Sequence, residues 1–247
     1  MNKNIIITGG TSYSAQHLSS VLNDTDFNIF KVGKSEHGTP SYHNNLHNAD
    51  IVINIAHTNN IEDNKKIVEE ILNNVKETTL IIQFSSIAVY GPTGNSQKIK
   101  ESSPLTPRTD NGRSKLAAEE ILSQHSNTII LRIPQIYGEN IKKNSIGTIY
   151  QKLSNNQDIT LTSNGELYRD FLHVKELSKL VLQCINTPHI GTFNIGSGKE
   201  MSQAQFVQKM KKELQSSSKI SLDPTASDAV KWAVPCTEKF CKAYKTS

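Results

Sequence analysis

Cysteine is scarce in this chain of 247 residues: there are three, Cys184, Cys236 and Cys241. They form no C-x-x-C pair and leave one thiol over, which argues against a disulfide framework and for a reducing, cytoplasmic setting. Long apolar runs are missing too, so no membrane association is expected. The start Met1-Asn2-Lys3-Asn4 passes straight into Ile5-Ile6-Ile7 and leaves no room for a signal peptide. Nor is there a block of one charge. The formal charge of +4 comes from lysines scattered among many acids, the pattern of a solvated surface, and nucleic acid is not an expected partner.

What is present suits one α/β domain with a modest appended lobe: the hydrophobic fraction is 36%. Apolar runs of strand length at 4–8, 27–32, 51–55, 80–85, 128–133 and 192–195 alternate with amphipathic segments after Tyr13, near 61–77 and at about 111–124. That alternation predicts a parallel sheet covered by helices. Further helices are expected over 172–186 and 202–216, while 139–170 is polar, basic and less regular. His43 and His47 have a spacing that could serve a metal on a helix, but their Asn- and Ser-rich segment lacks an acidic or cysteine partner and reads as a polar loop. Ser216-Ser217-Ser218 is the most linker-like point, before a tail containing Trp232 that is expected to pack on its neighbours.

The first strand runs into Thr8-Gly9-Gly10-Thr11-Ser12-Tyr13-Ser14-Ala15. A turn of small residues entering a helix lets backbone N–H groups approach a pyrophosphate, whose charge the helix N-terminus favours. In the pattern Gly-x-x-Gly-x-x-Gly, Gly9 fills the first place, Ser12 the second and Ala15 the third. Alanine is harmless at the third place, whereas Ser12 brings a Cβ to the point of nearest phosphate approach. The second strand ends in Lys31-Val32-Gly33-Lys34-Ser35, with no acid to hold a ribose 2′-hydroxyl and with Lys34 available for a 2′-phosphate. NADP(H) is therefore favoured, with NAD(H) left open.

Five further segments carry a resemblance: Asp50-Ile51-Val52-Ile53-Asn54-Ile55-Ala56-His57; Phe84-Ser85-Ser86-Ile87-Ala88-Val89-Tyr90-Gly91 with Asn111-Gly112-Arg113-Ser114-Lys115; Leu131-Arg132-Ile133-Pro134-Gln135-Ile136-Tyr137-Gly138; Arg169-Asp170-Phe171-Leu172-His173-Val174; and Phe193-Asn194-Ile195-Gly196-Ser197-Gly198. In this order, from residue 4 to about 200, the chain resembles an extended short-chain dehydrogenase/reductase of the NAD-dependent epimerase/dehydratase family. The resemblance implies a Rossmann-like, doubly wound parallel sheet with a small C-terminal substrate-binding lobe. The dinucleotide-binding domain would span 1–135, completed by about 171–196, and the lobe 136–170 and 197–247. A homodimer through the helices near 61–77 and 111–124 would also fit the family pattern.

By the same resemblance, Thr8, Gly9, Ser12, Tyr13, Lys34, Ala56, Lys115 and Pro134 would meet the dinucleotide. Ser86 would hold the reacting sugar oxygen, Gln135 would lie beside the sugar, and Arg169 would reach the diphosphate of a nucleotide sugar, a task that suits a planar guanidinium. Apart from the resemblance, Lys142 and Lys143 read as part of a solvated loop, with added phosphate attraction as the alternative. Lys115 would hold the nicotinamide ribose and lower the pKa of a neighbouring phenol. That phenol is absent: Asn111 stands where the family places its proton-transferring tyrosine. An amide has no useful pKa for the task, and its proton role could pass to water between Asn111 and Ser86, to a substrate hydroxyl, or to His57, an imidazole able to titrate near neutral pH.

Three functions follow. The first is an NADPH-dependent ketoreductase acting on a keto-deoxy nucleotide sugar for a surface polysaccharide, which needs one proton for an incipient alkoxide. The second is a nucleotide-sugar epimerase or dehydratase with bound NAD(H), which needs a base more strictly. The third is a non-catalytic protein that binds a dinucleotide or nucleotide sugar.

Overall fold

Strands whose residues are apolar on both faces can be stable only between two layers of helices, and the computed structural model, which describes residues 2–92, 96–142, 144–225 and 230–246, builds that sandwich. The order along the chain is β1 (Asn4–Thr8), α1 (Tyr13–Leu22), β2 (Asn28–Val32), α2 (Pro40–His47), β3 (Ile51–Asn54), α3 (Ile61–Asn74), β4 (Leu80–Ser86), α4 (Asp110–Leu122), β5 (Thr128–Ile133) and β6 (Gln135–Tyr137). It continues through α5 (Ser145–Ser154), β7 (Ile159–Leu161), β8 (Tyr168–His173), α6 (Val174–Asn186), β9 (Gly191–Asn194), β10 (Glu200–Ser202), α7 (Gln203–Glu213), β11 (Ile220–Leu222), β12 (Trp232–Ala233) and α8 (Glu238–Tyr244).

The main sheet has the order β2-β1-β3-β4-β5-β9 and every neighbouring pair is parallel. Alternation along β1 sends Ile5 and Ile7 to one face, with Leu18 of α1 and Leu177 and Val181 of α6. Ile6 faces the other layer, where Tyr42 of α2, Val68 and Ile71 of α3, and Ala118 and Leu122 of α4 are buried. This is the expected Rossmann-like α/β fold. The chain leaves β1 toward β2 and then crosses back to β3, so the strand order reverses between β1 and β3. In open α/β sheets that reversal opens a crevice at the carboxyl ends of the strands, where ligands bind.

Beyond β5 a smaller sheet forms from β10, β8 and β12, with β6 paired to β8, and β7 pairs with β11 beside it. Its own core includes Ile141, Ile149, Leu161 and the stacked rings of Phe171 and Phe206, 3.8 Å apart. Residues 168–173 belong to this sheet, and α6, which follows directly, packs on the main one. The expectation of an irregular 139–170 is also corrected, because α5, β7 and the start of β8 lie there. Ser216 and Ser218, read as linker, are buried and hydrogen-bonded to each other at 2.8 Å. The segment read as a polar loop is α2: Thr39 caps it by accepting from Tyr42 N, Pro40 opens its first turn, and His43 Nε2 lies 2.9 Å from Glu70 of α3. His37 and the Gly38 N–H reach the same carboxylate.

One polar knot crosses the apolar interior. Glu119 of α4 and Arg132 of β5 are each 5% exposed, and Arg132 Nη2 donates to Glu119 Oε2 at 2.6 Å while Nε donates to both oxygens at 3.1 and 3.2 Å. Ser85 of β4 donates to the same carboxylate. Arg132 Nη1 donates to Tyr90 Oη at 2.7 Å, and Tyr90 Oη donates to Asn194 Oδ1 of β9, also at 2.7 Å. The knot thereby joins β4, α4, β5 and β9. Removing one partner of such a pair leaves a buried charge uncompensated. Glu119→Ala is therefore expected to lower stability by about 3–5 kcal/mol in urea unfolding, and Glu119→Leu combined with Arg132→Met to cost clearly less than the sum of the single changes; additive losses would contradict this account.

Candidate active site

The crevice between β1 and β3 is shaped by backbone proximity. Gly9 has φ +64°, and a Cβ there would lie 2.8 Å from Ala56 N, so only glycine lets the turn after β1 pass this close to the end of β3. Thr8, expected to meet the dinucleotide, is instead fully buried beneath the turn. It donates to Asn54 Oδ1 at 2.5 Å and accepts from Ala56 N at 3.2 Å, while Asn54 donates to Gln83 Oε1 at 2.7 Å. Thr8 and Ala56 thus fix the floor of the crevice through this chain of polar groups. Ser12 caps α1, its hydroxyl accepting from Ala15 N. Its N–H goes to Gly9 O, and the N–H groups of Tyr13 and Ser14 have no partner among the described residues. These donors at a helix N-terminus and the glycine turn fit a pyrophosphate. The Tyr13 side chain is turned away, with Oη donating to Glu139 O at 3.0 Å and its ring edge against His17, so only its backbone is offered to the crevice.

At the end of β2 the crevice widens to a cleft of about 800 Å³ lined by Gly10, Lys31, Gly33, Lys34 and Glu36. Lys31 and Lys34 are exposed and have no carboxylate partner among the described residues. Glu36 was missed by the sequence reading: it folds back and accepts from Gly33 N at 2.6 Å, bringing a carboxylate to the strand end. The signal was a capping pattern, with an acid three residues after Gly33.

The expected catalytic residues meet at the ends of β3 and β4. Ser86 closes β4 and accepts from Ala88 N at 3.2 Å. The first turn of α4 rests on that bend, because a Cβ at Gly112 would collide with the Ala88 carbonyl. Asn111 precedes this contact and is half-buried, and Lys115 follows one turn later. Lys115 is 7% exposed and donates to Phe84 O at 2.7 Å. Burial pushes its amine down to about 7, against a weaker upward pull from Glu119.

His57 joins the group from the loop after β3. Its Nε2 lies 3.2 Å from Asn59 Oδ1, Nδ1 is buried without a partner, and Lys115, Asn64 and Asn111 stand close around the ring. Asn64 in turn donates to Ser114 O at 2.7 Å, tying α3 to α4. Burial, reinforced by the Lys115 charge, lowers the His57 imidazole to about 4. That value lies below the near-neutral titration expected of it, so at pH 7 the ring is neutral and holds no imidazolium proton.

On the lobe side, Pro134 is buried just past β5, and Gln135 Nε2 donates to Ser145 Oγ at 3.4 Å. Arg169 Nη1 donates to Tyr168 O at 2.7 Å and Lys231 O at 3.3 Å, and no carboxylate pairs with it among the described residues. Burial lowers its pKa. Asp170 is not its partner, being fully buried and accepting from Ser197 N and Oγ and from Gly198 N. Lys143 lies outside the described residues.

This fold and this set of motifs are those of an extended short-chain dehydrogenase/reductase. The chain belongs to the NAD dependent epimerase/dehydratase family, whose model matches residues 50–196. A putative UDP-glucose 4-epimerase of Methanocaldococcus jannaschii is 30% identical over 144 residues, 55% of this chain and 47% of that protein. The match thus spans about half the length of that curated relative. Among solved structures, a UDP-N-acetylglucosamine 4-epimerase of Bacillus cereus superposes with a TM-score of 0.86 at 22% identity, covering 100% of this chain and 91% of the other. A UDP-glucuronic acid 4-epimerase of the same organism, in complex with UDP-glucuronic acid and NAD, gives 0.82 at 17% identity over 99% and 93%.

The lowered Lys115 leaves a signature in stability. Between about 7 and the ordinary lysine value of about 10.4 the unfolded chain holds a proton that the folded chain has released. The contribution is fully present above about 10.4 and is lost as pH falls through about 7. Thermal unfolding followed from pH 7 to 10 is expected to show a rising term from this group that Lys115→Met removes; identical slopes in parent and variant would place the amine at its ordinary value.

Proposed function

We propose that the chain is an NAD(P)-dependent nucleotide-sugar ketoreductase that reduces a keto-deoxy sugar on its nucleotide carrier. The observation that carries this reading is the convergence of Ser86, Asn111, Lys115 and His57 beside the glycine turn, with no phenol among them. Reduction asks for a single proton at the developing alkoxide, whereas epimerisation or dehydration begins by removing one, a stricter demand on a site without tyrosine. The bound dinucleotide would supply the hydride. Gly9, Ser12 and the free N–H groups of Tyr13 and Ser14 would hold its pyrophosphate, and Lys115 and Pro134 would flank the nicotinamide end. Ser86 and Asn111 would orient the keto oxygen by hydrogen bonds. His57 would wall the pocket, and Arg169, with no carboxylate competing for it among the described residues, would take the sugar diphosphate.

Lys31 and Lys34 outnumber Glu36 at the adenosine end, which supports NADP(H) over NAD(H). A nucleotide-sugar substrate and a chain with few thiols suit the cytoplasm, and the substrate class suits surface-polysaccharide synthesis. A homodimer through α3 and α4 is part of the same proposal: Ile67, Leu72 and Ile121 are only partly buried there. A second reading, an epimerase or dehydratase with retained NAD, is favoured by the named relatives and by the Glu36 carboxylate at the strand end.

The test is a fluorescence titration of the purified protein with NADPH and NADH, followed by UDP- and dTDP-linked keto-deoxy sugars. Saturable binding, tighter for NADPH, and stoichiometric oxidation of NADPH are expected. Turnover without net oxidation would replace this reading by the second, and sugar-nucleotide binding without dinucleotide binding would mean a non-catalytic protein. Asn111→Tyr should raise turnover by about 10² or more; no gain at saturating cofactor would mean that the site is not limited by proton transfer.

A further inference from the structure

Resting on the ketoreductase reading, we propose that Lys115 itself carries the proton of the reaction, in the place left by the absent phenol. The geometry is that of an amine poorly provided for as an ammonium ion. Its Nζ is buried and donates to one acceptor, Phe84 O, at 2.7 Å, and no other acceptor reaches it among the described residues. An ammonium needs three acceptors, whereas a neutral amine can leave its lone pair unused.

The charged and titratable groups around it do not supply a counter-ion. Glu119, one turn further along α4, has its oxygens committed to Arg132 of β5 and Ser85 of β4. From the loop after β3 comes His57, and from α3 the amide of Asn64, which is bonded to Ser114 O. Strand β4 contributes the Phe84 carbonyl, the acceptor already named. The amine consequently sits at about 7, so that both of its forms are populated at neutral pH.

The step balances. The keto carbon accepts hydride from the reduced dinucleotide as the C=O π pair moves onto oxygen, and that oxygen takes a proton from the Lys115 ammonium, directly or through one water. The N–H bonding pair stays on Nζ as a neutral amine, the dinucleotide is left oxidised, and solvent returns the proton before the next turnover. In this scheme Asn111 and Ser86 hold the oxygen and exchange no proton.

The assignment is tested by NMR titration of protein carrying ¹³Cε-labelled lysine, with the Lys115 resonance identified by its loss in Lys115→Met. A midpoint near pH 7 is expected; a midpoint above about 9.5, close to an ordinary lysine, overturns the assignment alone. Lys115→Arg keeps a cation that does not release its proton. At saturating NADPH, its oxidation of NADPH with UDP- or dTDP-4-keto-6-deoxyglucose should fall about 10²-fold or more and the pH–rate limb near neutrality should disappear. Undiminished turnover in Lys115→Arg would also overturn it. Failure of the parent protein to bind NADPH would overturn the ketoreductase reading and this role together.

Discussion

The buried pair of Glu119 and Arg132 is the constraint on which the rest depends. An ion pair in an apolar interior survives only if nearly every lone pair and proton finds a partner, and here Ser85, Tyr90 and Asn194 complete the set. Because Ser85 sits on β4, Tyr90 in the bend after it, Arg132 on β5 and Asn194 on β9, the pair fixes the register of α4 against the sheet. It also takes from Lys115 the carboxylate that stands one turn away on its own helix. Stability and chemistry are thus set by the same contact: what secures α4 leaves an amine in the crevice without a counter-ion.

Around that anchor the crevice is built from elements far apart in sequence. Gly9 allows β1 and β3 to approach, Thr8 and Asn54 hold the floor, and Gly112 lets α4 rest on the bend after Ser86. The effect is to gather Asn111, Lys115 and His57 at one end and a cleft with two lysines and one carboxylate at the other. The first end gathers groups able to hydrogen-bond and titrate, the second two cations and a carboxylate at the end of β2.

Much of the fold was legible in the sequence because the strands are buried on both faces: Ile5-Ile6-Ile7, Leu80-Ile81-Ile82 and Ile129-Ile130-Leu131 are apolar at consecutive positions, as a strand between two helical layers must be. Helix α2 was not, since its stability comes from Tyr42 and Leu46 in the core and from His43 meeting Glu70 of α3, while its other residues resemble a loop. The grouping of Ser86, Asn111 and Lys115 at the end of β4 and the start of α4 was legible from motif spacing, while the part each plays belongs to the proposal. The state of His57 was not, because its burial and the neighbouring Lys115 charge come from tertiary packing. Thr8 was misjudged for a related reason: a threonine at a strand end reads as available until the polar chain beneath it is seen. Glu36 escaped because its carboxylate reaches the strand end only by folding back.

Replacement of tyrosine by Asn111 is the feature that most distinguishes this site, and the account holds that the chemistry survives it. The most direct measurement is transfer of deuterium from NADPH labelled at C4 of the nicotinamide to UDP- and dTDP-4-keto-6-deoxyglucose, read by mass spectrometry of the sugar product. The account predicts one deuterium at the reduced carbon and matching loss of NADPH. Bound NADPH and bound sugar nucleotide with no label transferred over prolonged incubation would contradict it.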